Sequence, residues 1–143
     1  MAGVSVQTEF VIGEAPLARP YGVSAEDAIL LCREWMIYLG ATDTVAASSE
    51  SRKLCDLYSS RYLAWVDNRR GNLEEGQVMQ AADLSSTDGR RGLIFVRGGV
   101  LPEARQQADR LGVALLRYDA RNGSLEGRNQ AGFATRASGL GNS

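Results

Sequence analysis

Any chemistry in this chain has to be done with few residue types. There is no histidine, and Lys53 is the single lysine. Without imidazole there is no His-ligated metal, no Ser–His–Asp triad and no Cys–His dyad. Any catalytic amine is Lys53. Cys32 and Cys55 are the two cysteines, too few for a structural zinc, and they read as buried free thiols. The remaining positive charge is arginine. Arg69-Arg70 and Arg90-Arg91 are adjacent pairs of the kind that contact phosphates without reading sequence. They are equally of the kind that solvates a turn. Gly98-Gly99 has neither the Walker spacing nor a Gly-x-Gly-x-x-Gly pattern, so it reads as a turn rather than a phosphate loop.

These residues sit in a chain of 143 residues, 44% hydrophobic and 23% charged, with a net charge of −1. That length suits one domain with one core. The near-neutral charge excludes a generally basic nucleic-acid binder, so any such binding depends on local clusters. No apolar run approaches the roughly 20 residues that span a bilayer. The first residues lack the basic-then-apolar order of a secretory signal. A cytoplasmic chain with no membrane partner is expected.

The elements that must position the candidates follow from periodicity. Val4 to Ile12 alternates like an edge strand, and Gly13 to Gly22 is a loop. Ser24 is placed to cap a helix whose stripe is Ala28, Leu31, Cys32, Trp35, Met36 and Leu39, with Gly40 as its stop. Thr44–Ala47, Leu54–Tyr58 and Tyr62–Val66 read as strands, the last two as a hairpin. Glu74–Leu84 is a helix with acids in its first turn. Gly92–Val96 is apolar throughout, as for a strand covered on both faces. Pro102 opens a helix that Gly112 ends, and Val113–Tyr118 is a strand. The strand–helix–strand unit requires parallel strands. The expected fold is α/β, a three-layer α/β/α mixed sheet flanked by helices. Residues 1–23 form an N-terminal strand and loop, 24–125 the domain, and 126–143, rich in Gly, Ser and Asn, a flexible tail.

Across roughly Ser24 to Leu125 this order resembles the Mrr-like branch of the restriction-endonuclease-like, PD-(D/E)XK, superfamily. The phrases that carry the resemblance are Tyr38-Leu-Gly40, Cys55-Asp56, Trp65-Val-Asp67, Gly92-Leu-Ile-Phe-Val96 and Leu111-Gly-Val-Ala-Leu115. The resemblance implies a nucleic-acid-associated domain. In the family, two carboxylates hold a divalent metal such as Mg²⁺, which polarises a phosphate and helps ionise a water. A neighbouring lysine stabilises the developing charge.

Transferred residue by residue, Asp56 takes the first carboxylate position. Trp65 falls where the family has Glu or Gln, and Asp67 where it has lysine. The catalytic motif is therefore degenerate. The expectation is a domain that acts by binding DNA or a partner without cutting. A rearranged nuclease site would draw on Asp56, Asp67, Glu34 and Lys53, with the metal on Asp56 and Asp67. Asp56 and Asp67 can equally be an ordinary strand end and turn. Arg52, Arg69 and Arg70 would border the cleft as phosphate contacts. Trp65 is either core or a stacking surface for a base. A third reading is a protein-interaction or homodimeric regulatory module with no nucleic-acid role.

Overall fold

The computed structural model describes residues 14–48 and 54–140. The expected strand over Val4–Ile12 lies outside these residues, as do Arg52 and Lys53. Helix α1 spans Ala25–Tyr38 and leads into strands β1 (Val45–Ala46), β2 (Leu57–Tyr58) and β3 (Tyr62–Asp67). Then come α2 (Glu75–Asp88), β4 (Arg91–Val96), α3 (Pro102–Leu111), β5 (Ala114–Asp119), β6 (Ser124–Gly127) and α4 (Gln130–Ser138).

Helix starts and stops follow local chemistry. Ser24 Oγ accepts the Asp27 N–H at 3.1 Å. Helix α2 opens on a reciprocal capping box between Glu74 and Gln77. It closes at Gly89, whose φ of +88° is one that a side chain would strain. Pro102 occupies the first turn of α3, where a missing N–H is harmless.

The strands form one six-stranded sheet in the order β1 to β6. β1–β2–β3 is an antiparallel meander, β3, β4 and β5 run parallel, and β6 returns antiparallel. Alternation along β4 explains the layers. Leu93 and Phe95 face a core built on α1, with Trp35, Met36 and Leu116. Ile94 and Val96 face a second core built on α2 and α3, with Val78, Ala81, Ala104 and Ala108. The result is a three-layer α/β/α domain whose central strand is covered on both faces, as its unbroken apolar sequence requires.

Two expectations are corrected. The first two strands are shorter than predicted: Thr44 and Ala47 flank β1, and Leu54, Cys55 and Asp56 precede β2. Of the segment read as a loose tail, the described residues, up to 140, carry the end of β6 and all of α4. Its glycines serve close approach rather than flexibility. A Cβ on Gly132 would strike the Leu115 carbonyl, and one on Gly127 would meet the backbone of Gly132 and Phe133. Asn129, buried at 2% exposure, fixes the junction. Its Oδ1 accepts the Leu115 and Gly132 N–H groups at 2.9 and 2.8 Å, and its Nδ2 donates to the Val113 carbonyl at 2.7 Å. One side chain thus replaces a strand partner for β5 and caps α4. Both cysteines are free and buried.

Candidate functional site

The β2–β3 register pairs Leu57 with Ala64. One step back, Asp56 falls opposite Trp65, and the Asp56 N–H donates to the Ala64 carbonyl at 2.9 Å. Two residues beyond Trp65, on the same face of β3, lies Asp67. Asp56, Trp65 and Asp67 therefore share the face covered by α2. Together with Leu73, Gln77, Gln80, Ala81 and Ile94 they line a cleft of about 220 Å³.

The side chains of Asp56, Trp65, Asp67 and Gln77 each have a partner within the fold. Asp56 Oδ2 accepts the Val66 N–H at 2.7 Å, standing in for a ladder carbonyl where β2 has not yet begun. Trp65 Nε1 donates to the Leu54 carbonyl at 2.9 Å. Its ring packs between the α2–α3 core and the small cluster of Ala47, Cys55 and Leu63. Asp67 is gripped bidentately, with Arg69 Nε donating to Oδ1 and Nη2 to Oδ2, both at 2.8 Å. The Arg69 N–H adds a bond to Oδ1 at 3.1 Å. Arg69 Nη2 also reaches Gln77 Oε1 at 3.1 Å.

The electrostatics follow from this grip. Burial pushes the Asp67 carboxyl up, but the Arg69 hydrogen bonds and charge, with help from Gln77, outweigh it and hold the carboxyl below the usual carboxylate range. The same contact raises the Arg69 guanidinium. Cys55, next to Asp56, is pushed up chiefly by burial and then by the Asp56 charge.

A scan against protein-family models finds no match, and searches of curated proteins and of solved structures find none either. The site is thus read from its own geometry.

The Mg²⁺ centre implied by the resemblance does not fit the residues present. Both Asp67 oxygens are committed to Arg69, and Asp56 Oδ2 to a backbone amide. Trp65, between them, offers no lone pair to a metal. Among the described residues no group of three or more His, Cys, Asp or Glu is placed to hold an ion. Glu34 is not brought to the cleft. It lies on α1, across the sheet, ion-paired to Arg19 at 2.6 Å.

Arg70 is exposed in the turn after β3. Arg90 and Arg91 are at the other end of the strands, since Arg91 pairs with Tyr62 and Val96 with Asp67. Arg90 is structural: it binds the Asp88 carboxylate at 2.6 Å and the Ser59 carbonyl at 3.0 Å, and stacks over Tyr58. Gln77 was missed by sequence reasoning. Its spacing from Glu74, that of a capping box, was the available signal.

Proposed function

We propose that this chain is a restriction-endonuclease-like domain that engages DNA through the turn after β3 and does not cut it. One observation carries the reading. Asp56, Trp65 and Asp67, which the resemblance puts at the motif positions of a metal-dependent nuclease, line one cleft, and on this reading two of those positions carry different chemistry. An indole fills the second ligand position. An acid neutralised by Arg69 fills the lysine position. The order of α1, an antiparallel three-strand meander, α2 and a parallel β4 supports the same reading. Arg70, exposed beside the cleft, supplies a phosphate contact, which positions a duplex without reading its sequence.

Fluorescence anisotropy with duplex and single-stranded DNA, titrated over salt, tests this. Binding is expected to weaken linearly on a log–log plot as salt rises, with a slope reduced by about one for Arg70→Ala. No binding at low salt removes the DNA reading in favour of a protein partner or homodimer. Plasmid incubated with Mg²⁺ or Mn²⁺ is expected to stay intact. Cleavage that Asp56→Ala abolishes would establish a rearranged nuclease instead.

A further inference from the structure

At the carboxyl ends of the parallel strands, on the side away from α2, lies a second cavity of about 130 Å³. The crevice outside the carboxyl ends of strands is where open α/β sheets hold ligands. Its volume is below the roughly 300–1,000 Å³ of drug-sized pockets, so it accepts a group rather than a whole molecule. Arg97 after β4 and Arg121 after β5 line it; Arg117 of β5 also borders it, but its register with Val96 and Asp67 puts its side chain on the α2 face. Asn68 and Tyr118 complete the polar wall.

Some arginines of the fold are held by carboxylates: Arg19, Arg69, Arg90 and Arg128 are each ion-paired. Arg121 forms no ion pair or side-chain hydrogen bond among the described residues, and Arg97 makes one long contact, at 3.5 Å, to the Asn68 carbonyl. Among the described residues lining the cavity the one carboxylate is Asp119. It is turned to Asn122, accepting that residue's N–H at 3.1 Å and its side-chain amide at 2.8 Å. Tyr118 donates to Asn68 Oδ1 at 2.6 Å, which fixes the amide's orientation. Arg121 is placed at the cavity rather than away from it: a Cβ on Gly22, which also lines it, would lie 3.7 Å from Arg121 Nε. Unpaired guanidinium groups at a small cavity call for an anion that two forked donors can share.

The neighbouring residue suggests what the anion is attached to. Tyr21, next to Gly22, is 96% exposed. A phenol ring this exposed, one residue along the chain from the cavity's lining, is a surface on which a planar group can stack.

From these placements we propose that Arg97 and Arg121 form a phosphate-monoester site, with Tyr21 as the stacking surface for the base of a nucleoside monophosphate. The monophosphate comes either from a free nucleotide or from the 5′-phosphorylated end of a strand. This site is distinct from the cleft beside α2 and does not depend on DNA binding there.

The test is calorimetric titration of the full chain with adenosine 5′-monophosphate, inorganic phosphate and adenosine. The monophosphate is expected to bind at least about tenfold more tightly than adenosine, the size of a charge-assisted hydrogen bond. Arg121→Ala and Arg97→Ala are each expected to weaken it by about the same factor. Tyr21→Ala should weaken the monophosphate while leaving inorganic phosphate unchanged. Equal binding of nucleoside and monophosphate, no binding of either phosphate, or indifference to both arginine variants overturns the site. Indifference to Tyr21→Ala overturns the stacking half alone. Oligonucleotides with and without a 5′-phosphate then identify the source: preference for the phosphorylated strand over the free nucleotide assigns the strand end, and the reverse assigns the nucleotide. An Arg70→Ala variant should weaken duplex binding and keep the monophosphate, so failure of either reading leaves the other standing.

Discussion

The carboxyl edge of the sheet carries two different surfaces, back to back. In the cleft under α2, Asp67 is neutralised by Arg69 and Asp56 is bound by the Val66 amide. In the cavity on the other side, Arg121 lacks such a partner among the described residues. The two regions meet at consecutive residues, Asp67 and Asn68, which line one each. Alternation along the chain is what separates them. Charges adjacent in sequence need not cancel in space. A chain of net charge −1 can therefore keep a local concentration of positive charge.

The largest effect should come from breaking the cleft's internal neutralisation. Asp67→Ala removes a carboxylate that is 11% exposed from two guanidinium bonds and one amide bond. Bonds to charged groups contribute about 1.5–3 kcal/mol, and the exposure of Arg69 discounts this, so a loss of about 1.5 kcal/mol is expected in urea unfolding. The pH dependence has a definite sign. The folded carboxyl titrates below its unfolded value of about 4, so its contribution is complete above that pH and vanishes as pH falls through the lower folded value. Asp67→Asn should flatten this acid limb. An unchanged limb would mean that Arg69 is not holding the charge.

Why only part of this was legible in the sequence is clear from particular residues. The α1 stripe, the capping at Ser24 and the wholly apolar β4 were readable because each rests on contacts within one element. Strand ends were not. Asp56 extends the β2 pairing through its side chain as well as its backbone, an addition that periodicity does not register. β6 and α4 were hidden for a related reason. Gly127, Gly132 and Asn129 have the composition of a loose tail, but they are there because backbone passes close to backbone and a buried amide replaces a strand. At the site, Asp56, Trp65 and Asp67 were found because the meander brings them onto one face. Arg97 and Arg121 were not singled out. They follow two different strands, β4 and β5, whose carboxyl ends the parallel pairing brings side by side.

A smaller effect separates the two acids of the cleft. Asp56→Ala leaves the Val66 N–H without its acceptor, a loss of about 1 kcal/mol. Asp56→Asn retains an acceptor oxygen and should recover most of it. If Asn and Ala cost the same, the charge of Asp56 matters and the carboxylate is more than a strand-end partner.

Tyr118 joins the two regions, since its hydroxyl holds the side chain of the residue that follows Asp67. Burial is the main cause that pushes its phenol well above the ordinary value, with Arg97 pulling it back. The folded value exceeds the unfolded one of about 10, so this contribution is full below that pH and is lost as pH rises. Cys32, raised by burial, acts in the same direction from about pH 8.5. Tyr118→Phe is expected to cost about 1 kcal/mol at neutral pH and to shallow the alkaline limb of the stability curve.

The smallest expected effect is the most discriminating. Arg121→Ala should leave the thermal midpoint of the ligand-free chain unchanged, or raise it slightly by relieving repulsion from Arg97. A residue held for the fold's sake has partners to lose, as Asp67 does. Arg121 is exposed and has none among the described residues. Added inorganic phosphate should raise the midpoint of the parent chain, because a ligand that binds the folded state alone stabilises it by mass action. The variant should respond less. A midpoint that falls on substitution as far as that of Asp67→Ala would show the cavity's arginines to be structural, and the contrast between the two sides of the sheet would collapse.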